Sequence, residues 1–247
     1  MNLKPHQVLL KRLLDIFLSI IGLILSFPVL GLLLIVAAFN TRSSGLLAQI
    51  RIGKDGKAFL LYKLKSMRNS DEVSTFITTA TDKRITHFGR FLRKTKLDEL
   101  PQLWNVLIGQ MSFVGPRPDV PGYADQLQGE DRIILSIRPG ITGPASLAFK
   151  DEEELLAQQE NPQRYNDEVI WPKKVRINKE YVKNYSLLTD IQIIWKTVFG
   201  WVDAIPIPSR SFGTGSESFA KTLCFKKISD GLIYKKIENQ GSSEGSM

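Results

Sequence analysis

IFLSIIGLILSFPVLGLLLIVAAF, Ile16 to Phe39, is the stretch that decides what kind of chain this is. It holds 24 consecutive positions without a charge, most of them Leu, Ile, Val or Phe. About 20 apolar residues suffice for a helix to cross the hydrocarbon core of a bilayer. A signal peptide is a poor fit. The apolar run is too long, and Phe39-Asn-Thr-Arg42 offers no small-residue cleavage site.

Two features separate the run from a plain spanning helix. Pro28 sits at its middle, where it removes a backbone hydrogen bond and predicts a bend. Ser26, two residues earlier, can satisfy a nearby freed carbonyl. The flanks are both basic: Lys4, Lys11 and Arg12 precede the run, and Arg42, Arg51 and Lys54 follow it. Positive charge stays on the cytoplasmic side. Cations at both ends and Pro at the centre favour a re-entrant helix that enters and leaves by one face, with a straight span as the alternative. Asp15, just outside the apolar boundary, has the spacing to pair with Arg12.

The whole chain has 247 residues, enough for one core plus attachments, and 43% of them are hydrophobic. That composition excludes a disordered chain and a polytopic membrane protein. A formal charge of +8 points to anionic partners: nucleic acid, phosphorylated molecules or an anionic membrane surface. The single cysteine, Cys224, excludes an intrachain disulfide.

Past residue 40 the chain turns polar. Leu46–Ile52 and Lys57–Lys63 read as two short strands around the turn Gly53-Lys-Asp-Gly56. Asn69–Asp82 reads as a mobile loop. Arg84–Leu92 is a predicted helix, and a second runs from about Asp98 to Ile108, with Leu100, Leu103, Trp104 and Leu107 as its apolar face. Pro101 is tolerated only in a first turn, which supports that start. Met111–Pro121 and Arg138–Pro144 read as ordered loops, with a helix over Tyr123–Ile137 between them. Asp151–Gln159 predicts an acidic, solvent-facing helix. Pro162–Tyr185 predicts a long helix interrupted near Pro172. The last helix, Leu187–Trp201, gathers Leu188, Ile191, Ile194, Trp195 and Val198 on one face, for the core or for a membrane interface. Residues 204–247 lose periodicity and end in a tail of disordered composition. The fold is therefore expected to be mainly α with a small β-hairpin. Residues 1–40 form the membrane-embedded part, 41–203 the catalytic domain with interfacial helices, and 204–247 a C-terminal extension.

The chemistry concentrates in Lys94-Thr-Lys-Leu-Asp-Glu-Leu-Pro-Gln-Leu-Trp-Asn-Val-Leu107. Asp98 and Glu99 are adjacent acids among the cations Arg90, Arg93, Lys94 and Lys96, with Gly115-Pro-Arg-Pro118 downstream. At a helix start, free N–H groups and the dipole favour an ionised Asp98. An ionised carboxylate is a nucleophile toward phosphorus. It is repelled by a diphosphate unless a divalent cation intervenes, and Glu99 is the hard oxygen ligand that Mg²⁺ prefers. Lys63, Arg93 and Arg117 can neutralise the remaining phosphate charge. Alone, an Asp-Glu pair opening a helix is most often a cap, so the reading rests on the company it keeps. His6 and His87 have no triad or metal spacing. No Walker A, GxGxxG or CxxC pattern occurs. A nucleic-acid binder or inert basic scaffold fits less well, because Arg90–Lys96 interleaves only Phe91 with its cations.

From Lys11 to about Thr197 the chain resembles the bacterial sugar transferases of the monotopic polyprenyl-phosphate phosphoglycosyl transferase family. The matching segments are Lys11-Arg-Leu-Leu-Asp15, the run broken at Pro28, Gln49-Ile-Arg-Ile-Gly53, Phe59 to Met67, Asp82-Lys-Arg-Ile-Thr86 and Gly89-Arg-Phe-Leu-Arg93. Leu97 to Leu107, Gly109 to Pro118, Arg138-Pro-Gly-Ile-Thr-Gly143 and Tyr181 to Leu187 follow in the family's order. The resemblance implies a monotopic enzyme at the cytoplasmic face of the bacterial inner membrane. It implies transfer of a sugar 1-phosphate from a UDP-sugar to undecaprenyl phosphate, with no nucleic acid involved. In the family's pattern Asp98 is the nucleophile that forms an aspartyl-phosphosugar, Glu99 holds Mg²⁺, and Lys63, Arg93 and Arg117 contact phosphate. Two positions depart from the pattern. Lys65 stands where Arg is frequent, and Pro144-Ala-Ser-Leu-Ala-Phe149 replaces a Gln-Val-Asn type sequence.

Overall fold

The long apolar segment folds as one helix in a computed structural model of the chain, which describes residues 4–69 and 82–200. Helix α1 runs over Pro5–Thr41, with Pro5 in its first turn and Arg42 as a left-handed C-cap. Helical backbone continues through Pro28, so the expected break is no interruption of the helix. Proline removes one i→i−4 bond, and the bonds on either side carry the helix past it. Ser26 Oγ lies 3.5 Å from Leu23 O, a weak contact.

The rest of α1 is held from both ends. Lys11 Nζ donates to Val114 O at 2.8 Å and to Asp190 Oδ2 at 2.5 Å. Arg12 donates to the carbonyls of Val106 and Leu107 at 2.6 and 2.7 Å. The expected pairing of Arg12 with Asp15 persists as charge attraction, while the hydrogen bonds of Arg12 go to these carbonyls. Asp15 Oδ1 instead accepts from Ser112 Oγ and Phe113 N, both at 3.0 Å. The reason is burial: a buried carboxylate needs fixed donors, and strand backbone supplies them. Farther along, Leu33 packs with Leu64 and Leu92. Between and around these anchors, apolar side chains stay uncovered, with Leu25 73% and Phe27 77% exposed. The helix has the length and composition to cross a membrane.

Strands β1 (Leu46–Ile52) and β2 (Ala58–Leu64) form the predicted antiparallel hairpin, in register from Leu46↔Leu64 to Ile52↔Ala58. Its turn places Asp55 at φ 59° and Gly56 at φ 77°, a conformation that Gly adopts without strain. A second sheet was not foreseen. β3 (Ser112–Val114) and β4 (Gly140–Thr142) pair in parallel, Ser112↔Gly140 and Val114↔Thr142, inside the two segments expected to be loops. Three-residue strands leave too little alternation to read, and a Cβ on Gly140 would stand 2.1 Å from Gly115 N. The backbones meet this closely only because both residues are glycine.

Helix α2 (His87–Thr95) is capped by Thr86, whose hydroxyl accepts from Gly89 N at 2.8 Å. Instead of one helix over Asp98–Ile108, a 3₁₀ turn at Leu97–Glu99 precedes α3 (Gln102–Leu107), with Pro101 as its N-cap. Leu103 and Val106 are buried, whereas Trp104 is exposed. Tyr123–Ile137 contains 3₁₀ turns at Ala124–Gln126 and Gly129–Ser136 rather than an α-helix. Gly122 and Gly129 have positive φ, which interrupts helical backbone at those points.

The C-terminal half adds α4 (Pro144–Ala148), α5 (Glu152–Ala157), α6 (Pro162–Tyr165), α7 (Trp171–Lys183) and α8 (Leu187–Phe199). A π-helical turn, Asn166–Ile170, joins α6 to α7, and Pro172 sits in the first turn of α7 as a boundary. Helix α8 packs through Ile193 and Asp190, while Leu188, Ile191, Trp195 and Val198 are exposed. The core thus takes Ile193 and Ile194 and leaves the other members of the apolar stripe open. Most of the predicted loop Asn69–Asp82 and the extension 204–247 lie outside the described residues.

Candidate active site

The site is assembled where α2 ends. Lys96 turns the chain with φ 57°, and the 3₁₀ turn then carries Asp98 and Glu99 inward. Both acids are 8% exposed. They do not open a long helix, because α3 is six residues and starts three residues after Glu99. The electrostatics of the pair therefore come from side-chain cations and burial rather than from a helix dipole.

Glu99 carries the ion pairs. Arg117 NH2, from the loop after β3, donates to Glu99 Oε1 at 2.6 Å, and Lys63 Nζ, at the end of β2, lies 3.5 Å from the same oxygen. Burial pushes the Glu99 carboxyl up, but Arg117 and Lys63 outweigh it and hold the group at about 2. Asp98 moves the other way. Burial raises its pKa, opposed chiefly by Lys63, and the negative charge of Glu99 adds to the rise. The expectation that local backbone favours ionised Asp98 is corrected here: burial works against the ionised form, and the support for it comes from the cations Lys63, Arg93 and Lys96. Adjacent carboxyls driven apart in pKa are the pattern of two acids with different tasks.

Two buried polar atoms here have no hydrogen-bond partner among the described residues: Asp98 Oδ1 in the turn and Gln102 Nε2 at the start of α3. An unpaired buried carboxylate oxygen costs free energy unless another group meets it. It can meet a phosphorus centre or a hard cation. No cluster of three or more His, Cys, Asp or Glu exists among the described residues. Mg²⁺ does not require one, since it is commonly held by one or two carboxylates together with substrate phosphates. Asp98 and Glu99 fit that type of site.

Of the three predicted phosphate-binding cations, Lys63 and Arg117 meet at Glu99. Arg93 is placed differently: NH2 donates to Glu153 Oε1 and NH1 lies 3.4 Å from Met67 Sδ. Its charge still favours ionised Asp98. Ser26 and Pro28 lie in α1 and belong to the helix, not to this cluster.

Sequence reasoning missed an outer ring. Arg51 donates to Gln49 Oε1 at 2.7 Å and to Pro118 O at 3.3 Å, and burial followed by the charge of Arg117 lowers it to about 10. Burial raises Asp119 to about 6, against the pull of Lys174, Arg51 and Arg117. Arg51 sat in view, in Gln49-Ile-Arg-Ile-Gly53, but its nearness to the Arg117 loop comes from the fold, where the Ile52 N to Asp119 O bond (2.9 Å) joins the Arg51–Pro118 contact. Glu152 and Glu153, read as solvent-facing, pair with Lys174 and Arg93.

The profile of the bacterial sugar transferase family matches residues 6–204, which takes in every element above. The chain belongs to that family. A UDP-glucose:undecaprenyl-phosphate glucose-1-phosphate transferase of Klebsiella pneumoniae is 38% identical over 203 residues, covering 78% of this chain and 40% of the relative. A UDP-galactose-lipid carrier transferase of Erwinia amylovora is 34% identical over 216 residues, covering 80% and 41%. A UDP-N-acetylgalactosamine-undecaprenyl-phosphate N-acetylgalactosaminephosphotransferase of Aeromonas hydrophila is 31% identical over 198 residues, covering 78% and 44%. The chain spans about two fifths of the length of these relatives. The sugars named for these relatives differ, so overall similarity does not select one for this chain.

Proposed function

We propose that the protein transfers a sugar 1-phosphate from a UDP-sugar to undecaprenyl phosphate, as a phosphoglycosyl transferase. The observation that carries this reading is the buried Asp98–Glu99 pair, with Lys63 and Arg117 on Glu99 and an unpaired oxygen on Asp98. The relatives' names support the same substrates.

In this reading an Asp98 oxygen attacks the phosphorus next to the sugar. The bond from that phosphorus to the bridging oxygen breaks, and UMP leaves with the electron pair. The aspartyl-phosphosugar is then attacked by a phosphate oxygen of undecaprenyl phosphate, which forms the lipid diphosphate and frees Asp98. Lys63, Arg93 and Arg117 offset the charge of the two phosphates and line them up for displacement. Mg²⁺, held by Glu99, would supply charge neutralisation at the phosphate oxygens. A screen of UDP-sugars with undecaprenyl phosphate in detergent, read by UMP release, tests the reaction. No release from any donor would overturn it.

Residues 1–40 are the membrane-embedded part of the proposal, 41–203 the catalytic domain, and 204–247 an extension. The exposed stripe of α8 and the uncovered side chains of α1 support contact with a bilayer. The lipid acceptor keeps its phosphate at the surface, so the site has to work there. The re-entrant form is part of the proposal: Pro28, which removes one helical hydrogen bond at mid-helix, is where the segment would bend so that both ends lie at the cytoplasmic face of the bacterial inner membrane. Single cysteines placed at Asn2 and Asn40 should both resist a membrane-impermeant thiol reagent applied from the periplasm. Labelling at Asn2 alone would instead indicate a straight span.

The same site predicts a pH response. Burial, then the charge of Arg117, pushes Lys63 down to about 8, although Glu99 and Asp98 pull it up. Its ammonium is therefore lost as pH rises through about 8, and with it one phosphate contact. The kcat/KM for the UDP-sugar, which reports the free enzyme, should fall on that alkaline limb. Lys63→Arg, which stays charged, should flatten the limb. An unchanged limb in that variant would assign the titration to another group.

A further inference from the structure

Helix α5 lays two carboxylates on the rim of the site. Consecutive helical residues point about 100° apart, and here they reach opposite neighbours. Both oxygens of Glu152 accept from Lys174 Nζ on α7, at 2.7 and 2.6 Å. Glu153 Oε1 accepts from Arg93 NH2 on α2. The charge of Glu152 is also felt by Arg117 and by Asp119. The two arms differ in exposure. The Glu153 side chain is 46% exposed, against 27% for Glu152.

Arg93 therefore has two claims on it. Its field supports ionised Asp98, and its guanidinium edge is shared with a carboxylate from a different helix. We infer that Glu153 competes with substrate phosphate for Arg93 and so sets how tightly phosphate ligands are held. The inference rests on the reaction proposed above. A partly exposed ion pair is weak, so a nucleoside diphosphate can displace it. The diphosphate has two linked phosphates to set against Arg93, Lys63 and Arg117. Glu153 thus weakens the binding of any phosphate ligand that takes Arg93, the donor and the released nucleoside monophosphate alike.

The test is steady-state kinetics of the full chain in detergent with a UDP-sugar and undecaprenyl phosphate, comparing wild type, Glu153→Gln and Glu154→Gln. Glu154 is exposed on the same helix and controls for the loss of one negative charge. In Glu153→Gln, product inhibition by UMP should tighten about threefold, the size of one partly exposed ion pair. The KM for the donor should fall by a similar factor, and Glu154→Gln should match wild type. Unchanged or weaker UMP inhibition in Glu153→Gln would overturn the inference. So would a drop in kcat at constant KM, which would make Glu153 an orienting group for Arg93. If wild type releases no UMP from any donor, the proposed reaction fails by itself. Equilibrium binding of UMP and of inorganic pyrophosphate to wild type and Glu153→Gln then decides the present inference, with tighter UMP binding to the variant supporting it and equal binding overturning it.

Discussion

Asp98→Asn is expected to abolish UMP release, with kcat lowered on the order of 10⁴-fold or more, the scale seen when a nucleophile is removed. The amide has nearly the same shape but no anionic oxygen to attack phosphorus. Stability should move in the opposite direction. The folded-state pKa of Asp98 is raised by burial. Its ionised form is thus disfavoured by folding, at any pH above that raised value. A neutral amide escapes this penalty, so thermal unfolding of Asp98→Asn in detergent should occur at the same or a higher temperature. Sites that hold a buried charge for chemistry commonly trade stability for it. Intact-mass measurement gives a second reading. Wild type supplied with a UDP-sugar and no lipid acceptor should gain one sugar phosphate, and the variant should gain nothing. UMP release at the wild-type rate by the variant would remove Asp98 from the nucleophile's role.

Asn105→Ala is expected to produce the largest loss of stability. Asn105 is fully buried on α3 and behaves as a strand edge. Its Oδ1 accepts from Tyr62 N at 3.1 Å, and its Nδ2 donates to Leu60 O and to Gln110 Oε1, both at 2.7 Å. The side-chain amide thus gives β2 the backbone-like partner it lacks on that side. Alanine leaves three polar groups without it, at about 1–3 kcal/mol for each one that stays buried and unpaired. A total of about 3 kcal/mol corresponds to a fall of about 6–12 °C in midpoint for a chain of this size. Activity should fall as well. Asn105 fixes β2 one residue before Lys63, on the helix that follows Glu99, so it sets where the two meet. A melting point within a degree or so of wild type would show that water or a shifted strand replaces these bonds.

The legible parts of the fold were those with a long local signal. The apolar run gave α1, and the alternation around Gly53–Gly56 gave the hairpin with nearly its observed ends. The same method failed on β3 and β4, whose three residues each pair across 28 positions of sequence. It failed on Tyr123–Ile137, where Gly129, at positive φ, separates two 3₁₀ turns. Trp104 was assigned inward by periodicity, but α3 is a single short segment and turns that ring outward.

For the candidate site, residue chemistry and the family resemblance named Asp98, Glu99, Lys63, Arg93 and Arg117. They also named an apolar N-terminal segment suited to a bilayer. Those choices follow from local order, since each residue stands in a recognisable segment. Tertiary structure decided who pairs with whom. It put Lys63 and Arg117 on Glu99, left an Asp98 oxygen without a partner, and gave Arg93 to Glu153. It also separated the acid pair's proton affinities, which depend on burial and on charges brought in from β2 and the loop after β3. The sequence determines which charges exist. Only folding sets their distances and their exclusion from water, and electrostatic energy depends on both.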